Sequence, residues 1–316
     1  MKILITGAAG YIGKMLVKDF VQNSKYNRVF AIDKKSKPKD LESFDIDYFK
    51  ADLAEESLED ILSEVPDIII HCAFDIRTLY GKLKQQIFNN FECCKKVFQY
   101  SLDKEVKTLI YLSSAAAYGA KAENIGKLLK ETEPLSEKIY PYGNQKREIE
   151  EMLSQLFSED QNTQVFVLRL STVQGKEGDE RKNLGLLRFV KNILPILPYT
   201  NKDWARQYIN EVDLIESIKF LLAADIDKAI EIFNLAPNDF ITMKDMAKLL
   251  NKRTIKIPVW FLRMSFFLAW HITHGYIPTI GGSYKSLIYP INLDGSKITK
   301  FGFQYQHSTK DTFLGL

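Results

Sequence analysis

Apolar residues in the first half of the chain fall in short solid runs, separated by longer stretches of helical period. "KILIT" (2–6), "VFAID" (29–33), "DIIIHCA" (67–73), "TLIYLSS" (108–114) and "QVFVLRL" (164–170) read as strands. Between them Ile12, Leu16, Val17 and Phe20 recur at helical spacing, and an amphipathic stretch surrounds Leu58, Ile61 and Leu62. A longer helical pattern runs through Phe88, Phe91, Val97 and Phe98, and another helix opens near Tyr140. Strands that are apolar throughout and alternate with helices predict an α/β fold, a doubly wound parallel sheet covered on both faces.

From about Ser171 the regularity weakens. "QGKEGDERKN" is polar and glycine-containing, as a surface loop is. "VDLIESIKFLLAA" and "MKDMAKLL" predict helices, with the short strand "IFNLAP" between them. The expected division is a sheet domain over 1–170, to which 206–236 return, and a smaller C-terminal lobe from 171–205 and 237–316. The aromatic segment 257–280 has two readings. Trp260, Met264, Phe267 and His271 share a helical spacing and face the core of the small lobe. Alternatively the segment forms an apolar substrate wall or meets a membrane surface, because Phe266 and Trp270 fall on another face.

Composition narrows the function. The 316 residues carry a net charge of +3 with both signs interspersed, which argues against nucleic acid as a partner. Cys72, Cys93 and Cys94 form neither a disulfide framework nor metal-ligand spacing, and His271 with His274 lacks a third ligand, so no metal is expected. The first strand begins at Lys2, so no leader peptide is expected, and Arg263 interrupts the most apolar segment, so no integral membrane segment is expected either. A reduced cytoplasmic setting follows.

The chemistry starts at "GAAGYIG". A strand leads into it and a helix leaves it, so backbone N–H groups and the positive helix end meet where a pyrophosphate would lie. Gly7 permits the tight turn, Gly10 a close backbone approach and Gly13 the packing of helix on sheet, with Tyr11 and Ile12 opening the helix. Asp33 ends the second strand, about 20 residues on, where a carboxylate accepts hydrogen bonds from ribose hydroxyls and repels the extra phosphate of NADP. NAD is therefore the expected cofactor, although Lys34 and Lys35 beside it soften that preference. Asp52 and Leu53 are candidates for the adenine edge, and Ala73 for the end of the fourth strand. Further on, Ser114 closes a strand, and Tyr142 and Lys146 are four apart on a helix that Pro141 opens, sharing one face. A phenol with a pKa of about 10 is a poor base at neutral pH, and a nearby ammonium is expected to lower it.

Taken in order, these motifs resemble the extended short-chain dehydrogenase/reductases, the NAD-dependent epimerase/dehydratase family. The likeness runs through "TGAAGYIG", "HCA", "NFECCKKVFQYS", "SSAAAYG", "KETEPLSEKIYPYGNQK", "LRLSTVQG", "RQYINEVDL" and "IFNLAP". It implies a Rossmann domain with a substrate lobe, Ser114, Tyr142 and Lys146 as the catalytic trio, and Asn90 in a helix bordering the cofactor. It also implies Arg206 as the guanidinium that grips a substrate phosphate, a nucleotide-sugar substrate, and a possible homodimer.

The chain departs from the family pattern on the substrate side. Thr172 stands where many members have an asparagine, Gln174-Gly175-Lys176 replaces Tyr-Gly-Pro, and Asn210 replaces a histidine. Ala115-Ala116 replaces the acid pair of the dehydratases, which argues against elimination of water. The resemblance thus implies an NAD-dependent epimerase of a nucleotide sugar. Two alternatives stand beside it: an NAD(P)-dependent dehydrogenase or reductase of an apolar alcohol or ketone, and a non-catalytic NAD-binding protein.

Overall fold

The computed structural model of the chain describes residues 1–176, 191–200, 205–226 and 228–315. Most of the polar loop expected over 174–183 lies outside them. The first strands are β1 (Lys2–Thr6), β2 (Arg28–Asp33), β3 (Asp47–Lys50), β4 (Ile68–His71), β5 (Thr108–Ser114) and β6 (Gln164–Leu170). Short strands β7 (Thr172–Gln174), β8 (Ile196–Tyr199) and β9 (Tyr208–Asn210) follow, then β10 (Ile230–Leu235) and β11 (Arg253–Lys256). Seven of them make one parallel sheet in the order β10-β6-β5-β4-β1-β2-β3. The order reverses at β1, between β4 and β2, and ligands of such sheets bind in the crevice at that point.

Alternation along each strand sorts side chains into two cores. Ile3, Ile5, Ile70, Ile110, Phe166 and Leu168 pack on one face beneath α1 (Tyr11–Val21). Leu4, Ile69, Leu109, Tyr111, Val165 and Val167 pack on the other, beneath the helices described next. The short α2 (Leu58–Ile61) precedes the two long helices of that second face, α3 (Leu83–Asp103) and α4 (Pro141–Leu156). The helix α5 (Glu211–Leu221) joins α1, placing Leu214 and Ile218 in the first core. The strand predicted at "IFNLAP" is β10, paired with β6 at the edge of this same sheet, from Ile230 opposite Val165 to Leu235 opposite Leu170.

Two small ribbons carry the rest. β7 pairs with β9, Thr172 opposite Tyr208, and β8 with β11, Ile196 opposite Arg253. Met246 and Ala247 of α6 (Met243–Leu249) pack on Leu197 and Phe313. The aromatic helix is α7 (Val259–Ile272), and here the first of the two sequence readings is overturned. Trp260, Met264, Phe267 and His271 face outward, and Leu262 is the one buried residue of the helix. Its inner face is formed instead by Leu262, Phe266 and Trp270, with Phe266 against Tyr284 and Trp270 against Tyr80. Periodicity finds a stripe, but a helix apolar on both sides does not reveal which stripe packs inward. The short helices α8 (Ser296–Lys300) and α9 (Thr309–Leu314) end the chain.

A buried polar network sits behind β5 and β6. Arg169 Nη2 donates to Glu150 Oε2 at 2.8 Å, both side chains being 6% exposed. Ser113 donates to the same carboxylate, and Arg169 Nη1 donates to the Tyr118 hydroxyl at 2.7 Å. Asn234 of β10 donates to Leu129 O at 2.8 Å and accepts from Tyr118 at 2.9 Å, so the edge strand completes the network. Removing one charge would leave the other buried and unpaired. Arg169→Met is expected to lower the unfolding free energy by about 3–5 kcal/mol in urea melts, and Glu150→Leu in the same chain to recover most of it. Equal stability of Arg169→Met and wild type would show the pair to be dispensable.

Candidate active site

The glycine turn is built around one carbonyl. Gly7 has φ +69°, and a Cβ on it would lie 2.7 Å from the Ala73 nitrogen, so β1 and β4 end against each other through bare backbone. The Gly10 N–H donates to Gly7 O at 2.9 Å, and a Cβ on Gly13 would come within 2.1 Å of that same oxygen. Tyr11 and Ile12 then open α1, which Gly10 caps without a side-chain acceptor and with no acid in the first turn. The Tyr11 hydroxyl crosses to the carboxylate of Glu211, at the start of α5.

Asp33 is tied directly to this turn. Its Oδ2 accepts from the Ala9 N–H at 3.0 Å and its Oδ1 from the Lys35 N–H at 2.9 Å. Lys34, beside it in sequence, is engaged with a second acid, its Nζ 2.5 Å from Asp75 Oδ2. Asp52 follows β3 and accepts from the Ala54 N–H at 3.0 Å, while the Leu53 side chain is buried in the core with Leu4 and Phe30. Ala73 donates its N–H to the Thr6 hydroxyl at 3.3 Å. Asn90 is buried, and its side chain braces the segment after β4. It accepts from the Asp75 N–H at 2.8 Å and donates to Asp75 O at 3.1 Å and Gln145 Oε1 at 2.8 Å.

Ser114 and Tyr142 meet across the end of β5. Ser114 Oγ accepts from the Ala116 N–H at 3.2 Å, capping the tight turn Ala115–Tyr118, and the serine stands near enough to Tyr142 to act on its pKa. Close approach makes this possible: a Cβ on Gly143 would lie 2.5 Å from Ala116 O, so α4 packs bare backbone on that turn. Pro141 occupies the first turn of α4 as expected. One Glu137 oxygen accepts from the N–H groups of Lys138, Ile139 and Tyr140 at 2.7–2.9 Å and fixes the approach to Tyr142.

Lys146 is 4% exposed, one turn along α4. Its ammonium donates to Leu112 O at 2.7 Å and Tyr111 Oη at 3.2 Å, and lies 3.8 Å from the centroid of the Phe74 ring. Burial pulls its pKa down to about 8, against the nearby Cys94 and Glu150, which favour the charged form. The expected lowering of the Tyr142 pKa by Lys146 is not what the structure shows. Burial raises the Tyr142 pKa, and the opposing influence is Ser114. Sequence reasoning missed Phe74, Tyr111 and Glu137. Alternation along β5 turns Tyr111 toward α4, a signal that was available, whereas the position of Phe74 depends on a turn.

On the substrate side, β7 and β9 bring Thr172 and Arg206 into one region. Thr172 is exposed opposite Tyr208, two residues beyond Arg206. Arg206 exchanges backbone hydrogen bonds with Ile241 and reaches Ser286 O at 3.4 Å. Asn210 caps α5, accepting from the Val212 N–H at 2.9 Å, which gives that departure from the family pattern a local cause. A Cβ on Gly282 would lie 2.8 Å from the Tyr140 nitrogen, so the 280s segment closes on the tyrosines.

This geometry is that of a Rossmann-type dinucleotide-binding protein with hydroxyl groups beside its phosphate turn. The chain belongs to the NAD dependent epimerase/dehydratase family, whose profile matches residues 3–236. Its relatives include Protein CapI of Staphylococcus aureus, 25% identical over 237 residues, which span 70% of this chain and 69% of that protein. The UDP-glucose 4-epimerase of Bacillus subtilis is 24% identical over 291 residues, 80% of this chain and 82% of that one. Among solved structures, the Thermotoga maritima UDP-glucose 4-epimerase with UDP-glucose aligns at TM-score 0.76 and 20% identity, over 100% of this chain and 97% of that one. The Bacillus cereus UDP-glucuronic acid 4-epimerase in complex with NAD aligns at TM-score 0.73 and 20% identity, over 99% and 96%. The family is one of nucleotide-sugar enzymes, and NAD is its cofactor.

The depressed pKa of Lys146 has a thermodynamic signature. Unfolded lysine titrates near about 10.4, so between pH 8 and that value the unfolded chain binds more protons than the folded one. The penalty for burying the charge is full below pH 8 and is relieved as pH rises. Lys146→Met is therefore expected to gain stability relative to wild type most strongly near neutral pH, with the difference shrinking toward about pH 10 in denaturant melts. A difference independent of pH would contradict the depressed pKa.

Proposed function

We propose that this protein is an NAD-dependent epimerase of a nucleotide sugar. The observation that carries the reading is the placement of Ser114 at the end of β5 against Tyr142 of α4, one helical turn from the buried Lys146 and at the ligand edge of the sheet. The residues present fit the cofactor. The left-handed Gly7, the open start of α1 at Gly10 and the Asp33 carboxylate beside them match a pyrophosphate followed by a ribose. NAD, when bound, supplies the acceptor and donor of a hydride.

The chain's own groups do the rest. Tyr142 takes the proton of a substrate hydroxyl and returns it, and Ser114 holds the same oxygen through its hydroxyl. Burial keeps Tyr142 protonated at rest, which suits the return step, in which it donates to a carbonyl. Lys146, fixed by Leu112 O and Tyr111 one helical turn from Tyr142, offers its ammonium to a ribose hydroxyl of the cofactor. Arg206 offers a planar guanidinium for a substrate phosphate. Ala115 and Ala116 put no acid beside the site, which disfavours loss of water.

Tyr142→Phe keeps the ring and deletes the hydroxyl. It is expected to lower turnover by about 10²–10⁴-fold while bound NADH fluorescence stays intact. Undiminished turnover in that variant would overturn the assignment. Native mass spectrometry of co-purified ligands tests the substrate class, with a nucleotide sugar expected beside NAD.

A further inference from the structure

The outward face of α7 is apolar where a surface helix is usually polar. Trp260 is 68% exposed and Ile272 72%, and Phe261, Met264, Phe267 and Leu268 lie open between them. A second apolar segment lies beside it. Ile76, Leu79, Tyr80 and Phe88 are exposed, and Tyr80 is held by Trp270 and by a 2.8 Å hydrogen bond to His271 Nδ1. Arg77 donates to Tyr276 O at 2.8 Å and completes the junction. The two segments form one surface.

Its charge is as one-sided as its hydropathy. Between Ala247 and Leu293 the chain has six Lys or Arg residues and no Asp or Glu, and between Ile76 and Phe91 it has Arg77, Lys82 and Lys84 and again no acid. Arg253, Lys256 and Arg263 are exposed on β11 and α7, flanking the aromatic face. These two stretches together hold nine basic residues and no acid, against a net charge of +3 for the whole chain. A second copy of the chain would set these cations against each other, whereas an anionic lipid surface would pair them. Aromatic and aliphatic side chains on one helical face with basic residues at its margins are the features of a helix that lies in a membrane interface. No helix among the described residues is long and apolar enough to cross a membrane.

We infer that α7 and the 76–88 segment dock this protein on an anionic phospholipid surface as a peripheral protein. The chain leaving α7 packs toward the tyrosines of α4. Thr279 donates to Phe266 O at 2.9 Å, and the chain then passes Gly282, packed on Tyr140.

The test is flotation of the full-length protein with vesicles of phosphatidylcholine alone or with about one third phosphatidylglycerol. Partitioning about tenfold stronger onto the anionic vesicles is expected, weakening with salt, with a blue shift of tryptophan emission. Trp260→Ser with Phe267→Ser should abolish binding and the shift. Arg253→Glu with Arg263→Glu should remove the preference for anionic lipid. Unchanged melting and turnover in both variants would show that they fold. Absence of binding to either vesicle, or equal binding to both, overturns the proposal. So does a dimer in sedimentation that the Trp260/Phe267 variant dissociates without any vesicle binding by the wild type.

Discussion

Where β1 ends, the backbone of Gly7 lies so close to that of Ala73 that no side chain fits between them. Much of the molecule depends on that approach. It brings the two central strands together at the point where the strand order reverses, and it frees the next carbonyl to organise Gly10 and Gly13. It also puts the start of α1 beside Asp33. The same device recurs at the other wall of the cleft, where Gly143 sits on the Ala116 carbonyl and carries Tyr142 to Ser114. Both halves of the site are thus positioned by the absence of a Cβ, and side chains are then hung on a frame already set.

Charge is handled differently on the two sides of the sheet's end. At the surface Asp33 and Asp75 meet backbone N–H groups and Lys34 in reach of water. Beneath Tyr142, Lys146 is enclosed by Phe74, Tyr111 and thiols, with Glu150 further off paired to Arg169. An ammonium so enclosed is costly in the resting fold. It stays because a carbonyl, a phenol and an aromatic face surround it.

The sheet was legible in the sequence because buried parallel strands must be apolar on both sides, and helices must separate them. The glycine turn, Asp33, Ser114, Tyr142 and Lys146 were legible for a related reason: each sits at a strand end or at a fixed helical spacing. What escaped was set by folding around those points. Glu137 acts through main-chain N–H groups, which leave no side-chain pattern. The Tyr142 pKa is set by burial and by Ser114, not by the four-residue spacing to Lys146. The aromatic helix was found but turned the wrong way, since its two faces differ too little in hydropathy to reveal which one packs.

β10 has a consequence for the order in which the protein can be completed. It lies at the sheet's edge, yet it supplies Asn234 to the network around Arg169 and covers the open side of β6. Until β10 has been synthesised, β6 presents a nearly continuous apolar edge with unpaired main-chain groups. The emerging chain therefore carries most of its nucleotide-binding turn long before it can seal its own sheet. A fragment ending after β6 would keep the glycines and the tyrosine and still be prone to pair with its neighbours.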